Sequence, residues 1–286
     1  MRAVFAALVT ALALGTAACS KKPADPRPED TRPVEAKPAA PRKLRVAAAA
    51  DLTKALGEVT AAFQARTGTT VEVQFGASGL LAKQIEQGAP FALFAAANRS
   101  FVDQVVQAGK CDGATVRSYA RGRVVVWTPA KVLPPTTLAD LADPRFTKIA
   151  IANPDTAPYG KAARQALEKS GVWPKIQDRI VLGENVQATL TYAIKGNVDA
   201  ALVALSLAIG TEGGSYLPVD PELHAPLDQA LVVCGTGPEA DDAKKLAELI
   251  ASPEGRVLMN HYGFLQAGEP VPTNPPPTAA AAPKTP

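Results

Sequence analysis

Residues 70–88 read TVEVQFGASGLLAKQIEQG. The first six alternate apolar and polar side chains and are rich in Val and Phe, the pattern of a strand. Small residues follow at Gly76 and Ala77. Ser78 then opens an apolar-periodic run, the position where a serine caps a helix. An extended run passing into a helix through a turn of small residues is the unit from which α/β folds are built.

The same passage recurs along the chain. LRVAAAA (44–50) reads as a buried strand, and Asp51 opens the helix LTKALGEVTAAFQAR. FALFAAA (91–97) precedes SFVDQVVQAG, and KIAIAN (148–153) precedes the loop and helix DTAPYGKAARQALEKSG. RIVLG (179–183) leads into ENVQATLTYAIKGN, and DAALVAL (199–205) into another small-residue segment. GRVVVWTP (122–129) and QALVVCG (229–235) are two further strands, and PEADDAKKLAELI and SPEGRVLMNHYGF close the folded part as helices. Strands alternating with helices predict parallel sheets covered on both faces. The roughly 220 residues involved exceed one small core, which predicts two α/β lobes.

The ends of the chain are of different character. Residues 1–19 carry Arg2, an apolar run too short to span a bilayer comfortably, and small residues up to Cys19, which is the pattern of a secretory signal. The close Thr16-Ala17-Ala18-Cys19 resembles a bacterial lipoprotein signal, in which the cysteine is lipidated and begins the mature chain. Residues 20–43 hold six prolines and almost no large apolar side chain, and read as an extended tether. Residues 267–286 hold seven more and read as a disordered Pro/Ala tail. Of the charged residues, the tether takes seven Lys/Arg against four Asp/Glu, whereas residues 44–266 take 21 against 22. The basic balance therefore belongs to the tether, and a near-neutral folded part lacks the basic face that nucleic-acid binding needs.

With Cys19 assigned to lipid, Cys111 and Cys234 remain in an exported protein, where disulfides persist. Spacing alone leaves a bond or two separate buried thiols open. The two histidines, His224 and His261, and the lack of CxxC or HExxH give a thiolate or imidazole metal site almost no support.

Ser78 raises a choice between nucleophile and hydrogen-bond donor. A nucleophile elbow needs G-x-S-x-G, and here Leu80 stands in the last position. A base is also required, yet His224 lies in the loop PELHAP, His261 in the last helix, and Lys83 at the wrong offset for S-x-x-K. The serine is therefore read as a donor, its hydroxyl joined by the N–H groups of Gly79 and Leu80. The bland alternative is an N-cap with no ligand. AAAADL, GASGL, NPDTAPYG and GENVQ repeat the arrangement of small strand ends before a helix. Helix N-termini gathered at the carboxyl ends of strands offer unpaired N–H groups to an anion without Lys or Arg.

AAAADLTKAL, FGASGLLAKQIEQGAPFALF, ANPDTAPYGKAARQALEKSGVW, GENVQATLTYAIKGNVDAALVALSLA and the closing HYGF resemble the bacterial periplasmic molybdate-binding proteins, the solute receptors of molybdate ABC importers. The resemblance runs from about residue 44 to 265. It implies a type II periplasmic-binding-protein-like α/β fold, with two lobes joined by two crossover strands. Lobe one would be 44–126 and 230–266, lobe two 127–229, and the crossovers GRVVVWTP and DQALVVCG. It implies a monomeric, periplasmic, lipid-anchored receptor that binds molybdate or tungstate between the lobes and docks on a membrane permease with its ATPase. Neither cofactor nor catalysis is implied. Receptors for sulfate, phosphate, a phosphonate or ferric iron are the alternatives, with an exported serine hydrolase and a scaffold without ligand behind them.

Position by position, the resemblance carries over Ser78 as side-chain donor and the backbone N–H groups of Tyr159 and Val186. Ser78 and Val186 are the two it assigns most directly to the molybdenum oxyanion. The N–H groups near Ala50–Asp51 and Gly79 complete the set. Two side-chain donors differ from the family pattern: Asp51 replaces a serine, and Ala204 replaces a tyrosine, with Ser206 two positions on. As a helix N-cap, Asp51 would bond the N–H groups of its own helix. As a carboxylate in the site it would oppose a dianion: at ~4 Å and an effective dielectric near 20, each like-charge pair costs about 4 kcal/mol. Protonated, it would donate. With Glu184 it would form a carboxylate pair ligating the metal directly, as the resemblance implies for some archaeal relatives; the alternative for Glu184 is a solvated first-turn charge. Trp127 is read as hinge packing, and Arg121 and Arg123 as a solvated face or as counter-charge at the cleft mouth.

Overall fold

The computed structural model describes residues 42–266 and 268–272. Cys19, the signal and the tether up to residue 41 lie outside the described residues, as do 267 and 273–286 of the tail.

Among the described residues ten strands form two five-stranded sheets. In chain order they are β1 (Lys43–Ala49), β2 (Thr70–Gly76), β3 (Leu93–Ala96), β4 (Arg117–Gly122), β5 (Val124–Pro129), β6 (Ile149–Ala152), β7 (Ile180–Gly183), β8 (Ala200–Ala204), β9 (Gly214–Pro218) and β10 (Leu227–Val233). The helices are α1 (Thr53–Thr67), α2 (Ser78–Glu86), α3 (Arg99–Gln107), α4 (Pro158–Lys169), α5 (Trp173–Ile176), α6 (Val186–Ile194), α7 (Leu205–Ala208), α8 (Pro238–Ala251) and α9 (Pro253–His261).

The first sheet runs β2-β1-β3-β10-β4 and the second β7-β6-β8-β5-β9. Both are mixed rather than parallel. β1 pairs in parallel with β2 and β3, but β10 lies antiparallel to β3 and β4. β6 pairs in parallel with β7 and β8, but β5 lies antiparallel to β8 and β9. The departure has a topological cause: the chain passes between sheets through β4–β5 and returns through β10, so these strands have no crossover helix to force a parallel partner.

The strand pleat explains how each sheet is covered. On β1, Leu44, Val46 and Ala48 face Leu56, Val59 and Phe63 of α1 and Leu246 and Ile250 of α8. Ala47 faces the other way, toward Leu81 and Ile85 of α2 and Val102 and Val105 of α3. The second sheet shares a core with α4 and α6, including Ala163, Leu167 and Leu190. Trp127 is buried there at 1 % exposure, within lobe two rather than at a hinge.

The passages between sheets fall earlier in the chain than the sequence suggested. Val124 already pairs with Ala204 in the second sheet, and Leu227 already pairs with Gly122 in the first. Residue 123 is thus one crossing and residues 219–226 the other. Arg123 is buried at the first, donating to the carbonyls of Arg121, Gly122 and Gln266, while Arg121 pairs with Asp228 at 2.7 Å. Neither arginine lines the cleft recess described below. A disulfide joins Cys111 to Cys234 beyond the end of β10. Of the expected tail, Val271 packs on the second core and the Pro272 carbonyl accepts from the Tyr216 hydroxyl.

Candidate functional site

The carboxyl ends of β1, β2 and β3 in lobe one face the first turns of α4 and α6 in lobe two. Between them lies a small recess, lined by Ala49–Asp51, Gly76–Ser78, Ala97, Ala157–Tyr159, Asn185 and Val186. Small side chains line it, so backbone reaches the space directly. Among the lining residues only Asp51 carries a carboxyl group, and none is basic.

Ser78 is the first residue of α2, not its cap; Ala77 holds the cap position and makes no side-chain bond. The Ser78 Oγ accepts from the Ala97 N–H at 3.0 Å, which fixes the hydroxyl at the end of β3 and leaves its proton to donate. Tyr159 follows Pro158 at the start of α4, and Val186 begins α6. N–H groups at these positions have no carbonyl one turn back within the helix. Asn185 caps α6, accepting from Ala188 N–H at 3.0 Å, and thereby holds the first turn open toward the recess.

Two assigned positions fall elsewhere. Gly79 does not line the recess: its N–H donates across the lobes to the Thr156 carbonyl at 2.9 Å. The Leu80 N–H is likewise used, on the Ala77 carbonyl at 3.0 Å. Ala204 is fully buried at the end of β8, outside the lining. Ser206 donates instead to the Asp51 carbonyl at 2.9 Å, another bond between lobes. Glu184 is exposed and is not brought together with Asp51.

Asp51 sits in a single 3-10 turn, Ala50–Leu52, that precedes α1, and the caps of neither helix use its side chain. It is not a capping residue. Its Oδ2 accepts from Gln229 Nε2 at 2.6 Å, and the same nitrogen lies 3.0 Å from the Tyr159 hydroxyl. Oδ1 is buried without a hydrogen-bond partner among the described residues. Burial pushes the Asp51 carboxyl up to about 6, against hydrogen bonds from Gln229, Tyr159 and its own N–H that favour the charged form. Burial, with the Asp51 carboxyl nearby, also holds the Tyr159 and Tyr119 hydroxyls well above their ordinary value. Gln229 lies at a register shift in the β10–β4 pairing. Gly122 on β4, the register partner of Leu227, has no side chain to obstruct the cluster: a Cβ there would run into the Tyr159 hydroxyl and Gln229 Nε2. The polar Gln229 in the apolar run DQALVV was the visible signal for this cluster; the side-chain role of Tyr159 left none.

Neither histidine reaches Ser78. His224 meets the Ala225 carbonyl, His261 stacks edge-on against Tyr262, and neither lines the recess.

Two α/β lobes, a double crossing and a small recess of helix N-termini between the lobes define a type II periplasmic-binding-protein fold built to hold a solute, not to transform one. The chain belongs to the bacterial extracellular solute-binding proteins, whose family profile matches residues 44–265. It is 34% identical over 229 residues to the molybdate-binding protein ModA of Rhodobacter capsulatus, covering 79% of this chain and 90% of that one. It is 29% identical over 260 residues to ModA of Azotobacter vinelandii, covering 90% and 96%. The solved structure of the Azotobacter vinelandii periplasmic molybdate-binding protein superposes with a TM-score of 0.72 at 27% identity, over 78% of this chain and 98% of that one.

Proposed function

We propose that this protein is the substrate-binding component of a molybdate ABC importer. It takes molybdate, and tungstate with it, into the recess between the lobes. The observation that carries the reading is the recess itself: the first turns of α2, α4 and α6 converge on a space without a cation. Partial positive charge at those helix ends favours an anion. The recess is narrow, closed in by backbone and small side chains from both lobes, and so has room for a small ion rather than for a drug-sized organic ligand. The relatives named as molybdate-binding support that choice of ion.

In this reading the Ser78 hydroxyl and the N–H groups of Ser78, Tyr159 and Val186 donate to the oxygens of a dehydrated tetrahedral anion. Fixed donors select by size, because an ion that is too small leaves some of them unpaired in a dry site. The closed lobes present the loaded receptor to a membrane permease and its ATPase. Lipid on Cys19, with residues 20–41 as tether now that Lys43 begins β1, keeps the monomeric receptor near that membrane.

The test is a calorimetric titration of the purified protein with molybdate, with sulfate and phosphate as competitors. Submicromolar molybdate binding is expected, unaffected by millimolar sulfate. Ser78→Ala removes one hydrogen bond to a charged ligand, about 1.5–3 kcal/mol, and should weaken binding roughly 10- to 150-fold. Absence of binding at millimolar molybdate would overturn the assignment.

A further inference from the structure

The recess holds one ionisable group that the oxyanion reading leaves without a task. Asp51 lines it, is 1 % exposed, and has a carboxyl oxygen, Oδ1, with no partner among the described residues. We propose that Asp51 meets the bound anion as the neutral acid, its Oδ1–H donating to a ligand oxygen, so that each dianion enters the closed cleft together with one proton. The inference rests on the oxyanion reading above and adds a donor to it.

A buried carboxyl is made tolerable by a cation, by several donors, or by neutrality. No cation among the described residues serves Asp51. Lys54, one turn on in α1, is committed to the carbonyls of Leu207 and Ile209 and to Thr211 Oγ1. The Arg123 guanidinium is committed to three carbonyls at the crossing. α6 and α7, which pack against the 3-10 turn, contain no charged residue. On β2 the acid Glu72 pairs with Lys43 near the strand's start, far from the Gly76 end that meets the turn. The remaining neighbours are Gln229, Tyr159 and Tyr119, and Tyr119 donates to the Ala96 carbonyl.

The donors that favour the charged form, Gln229, the Tyr159 hydroxyl and the residue's own N–H, do not offset burial, and Oδ1 has no hydrogen-bond partner among the described residues. An ionised Oδ1 would face the ligand's own negative oxygens; a protonated Oδ1 replaces that repulsion with a hydrogen bond. Like charges that share a dry site raise one another's proton affinity. Burial has already moved the Asp51 carboxyl to about 6, and a bound dianion moves it further the same way. Above about pH 6 the empty site is then ionised and loading draws a proton from solvent. Affinity falls up to tenfold per pH unit as pH rises through that window, and is flat below it.

The experiment is titration of the whole protein with molybdate at about pH 7.5 in buffers of widely different ionisation enthalpy. The expected result is a heat that varies with buffer, corresponding to about one proton taken up per anion. Asp51→Asn keeps a donor but cannot ionise. It should show no buffer dependence and equal affinity at about pH 6.5 and 8.5, a span over which the wild type weakens about 100-fold. Tight wild-type binding without proton uptake overturns this inference and leaves the oxyanion reading intact. If neither protein binds molybdate or tungstate across that range, the oxyanion reading falls with it. The wild-type buffer series decides alone should the variant fold poorly.

Discussion

At Asp51 the ligand-free protein carries a cost of burial that acts on stability as well as on binding. The carboxyl moves from its ordinary 3.8 to about 6, so between those values the folded protein holds a proton that the unfolded chain releases. By linkage, the native state loses stability from this group as pH rises through the window, reaching about 3 kcal/mol near neutrality. Asp51→Asn should therefore stabilise the ligand-free protein by up to about 3 kcal/mol at pH 7.5 and by almost nothing near pH 4. Urea denaturation at the two pH values measures this; an equal effect at both would show that the carboxyl is not strained by burial. The residue scale is also where sequence reading reached least far. Ser78 could be singled out from its own strand-to-helix turn, which is written in local sequence, whereas Tyr159 and Val186 were reached through the family resemblance. The partnership of Asp51 with Gln229 spans 178 residues, and no local pattern records it.

Gly79 shows how the start of one helix controls the cleft. It stands in the first turn of α2, where its N–H reaches Thr156 of the other lobe. A Cβ at this position would meet the Thr156 carbonyl oxygen at 2.9 Å and the Phe101 ring at 3.1 Å. Backbone of lobe two cannot yield as a side-chain tip does, so the lobes would have to part. Gly79→Ala should weaken molybdate binding about 5- to 150-fold, the equivalent of an overpacking cost of about 1–3 kcal/mol. Alanine is meanwhile the better helix former by roughly 1 kcal/mol, so the melting temperature of the ligand-free protein should hold or rise. Calorimetry and a melting curve on the same sample separate the two effects; a fall in both would place the clash inside one rigid body. Among the elements, those with a period or an apolar run of their own were legible: the strands β1, β2, β3, β5, β6, β7, β8 and β10 and the helices α1, α2, α3, α4, α6, α8 and α9. β4 and β9 were not. RSYARG carries charge at both ends, and GSYLP lies between glycines and a proline, which reads as turn. Both are edge strands whose conformation is imposed by a partner, β10 for one and β5 for the other. The parallel-sheet expectation failed for the same reason, since strand direction follows from the crossings and not from composition.

For the molecule as a whole, the lobes are held together by bonds that need no ligand. Gly79 donates to Thr156, Ser206 to the Asp51 carbonyl, and the Lys54 ammonium to three acceptors on the other lobe. The lysine makes the largest of these contacts. Its three donors end at 2.9, 2.9 and 2.8 Å on the Leu207 and Ile209 carbonyls and Thr211 Oγ1, where they neutralise the open C-terminal end of α7. Burial lowers the Lys54 pKa, so the charge is partly desolvated when the lobes meet. In an open conformer water takes over these bonds, and the balance between lysine–water and lysine–carbonyl contacts biases closure. Lys54→Met keeps the apolar stem and removes the donors. Charged hydrogen bonds worth about 1.5–3 kcal/mol, lost from the closed state alone, predict a molybdate dissociation constant raised roughly 10- to 150-fold. The ligand-free melting temperature should change little, because each lobe keeps its own core. Small-angle scattering should show a larger radius of gyration without ligand and the wild-type value at saturation. If stability falls as far as affinity while the radius stays constant, Lys54 holds a single rigid body and the lobes do not part there.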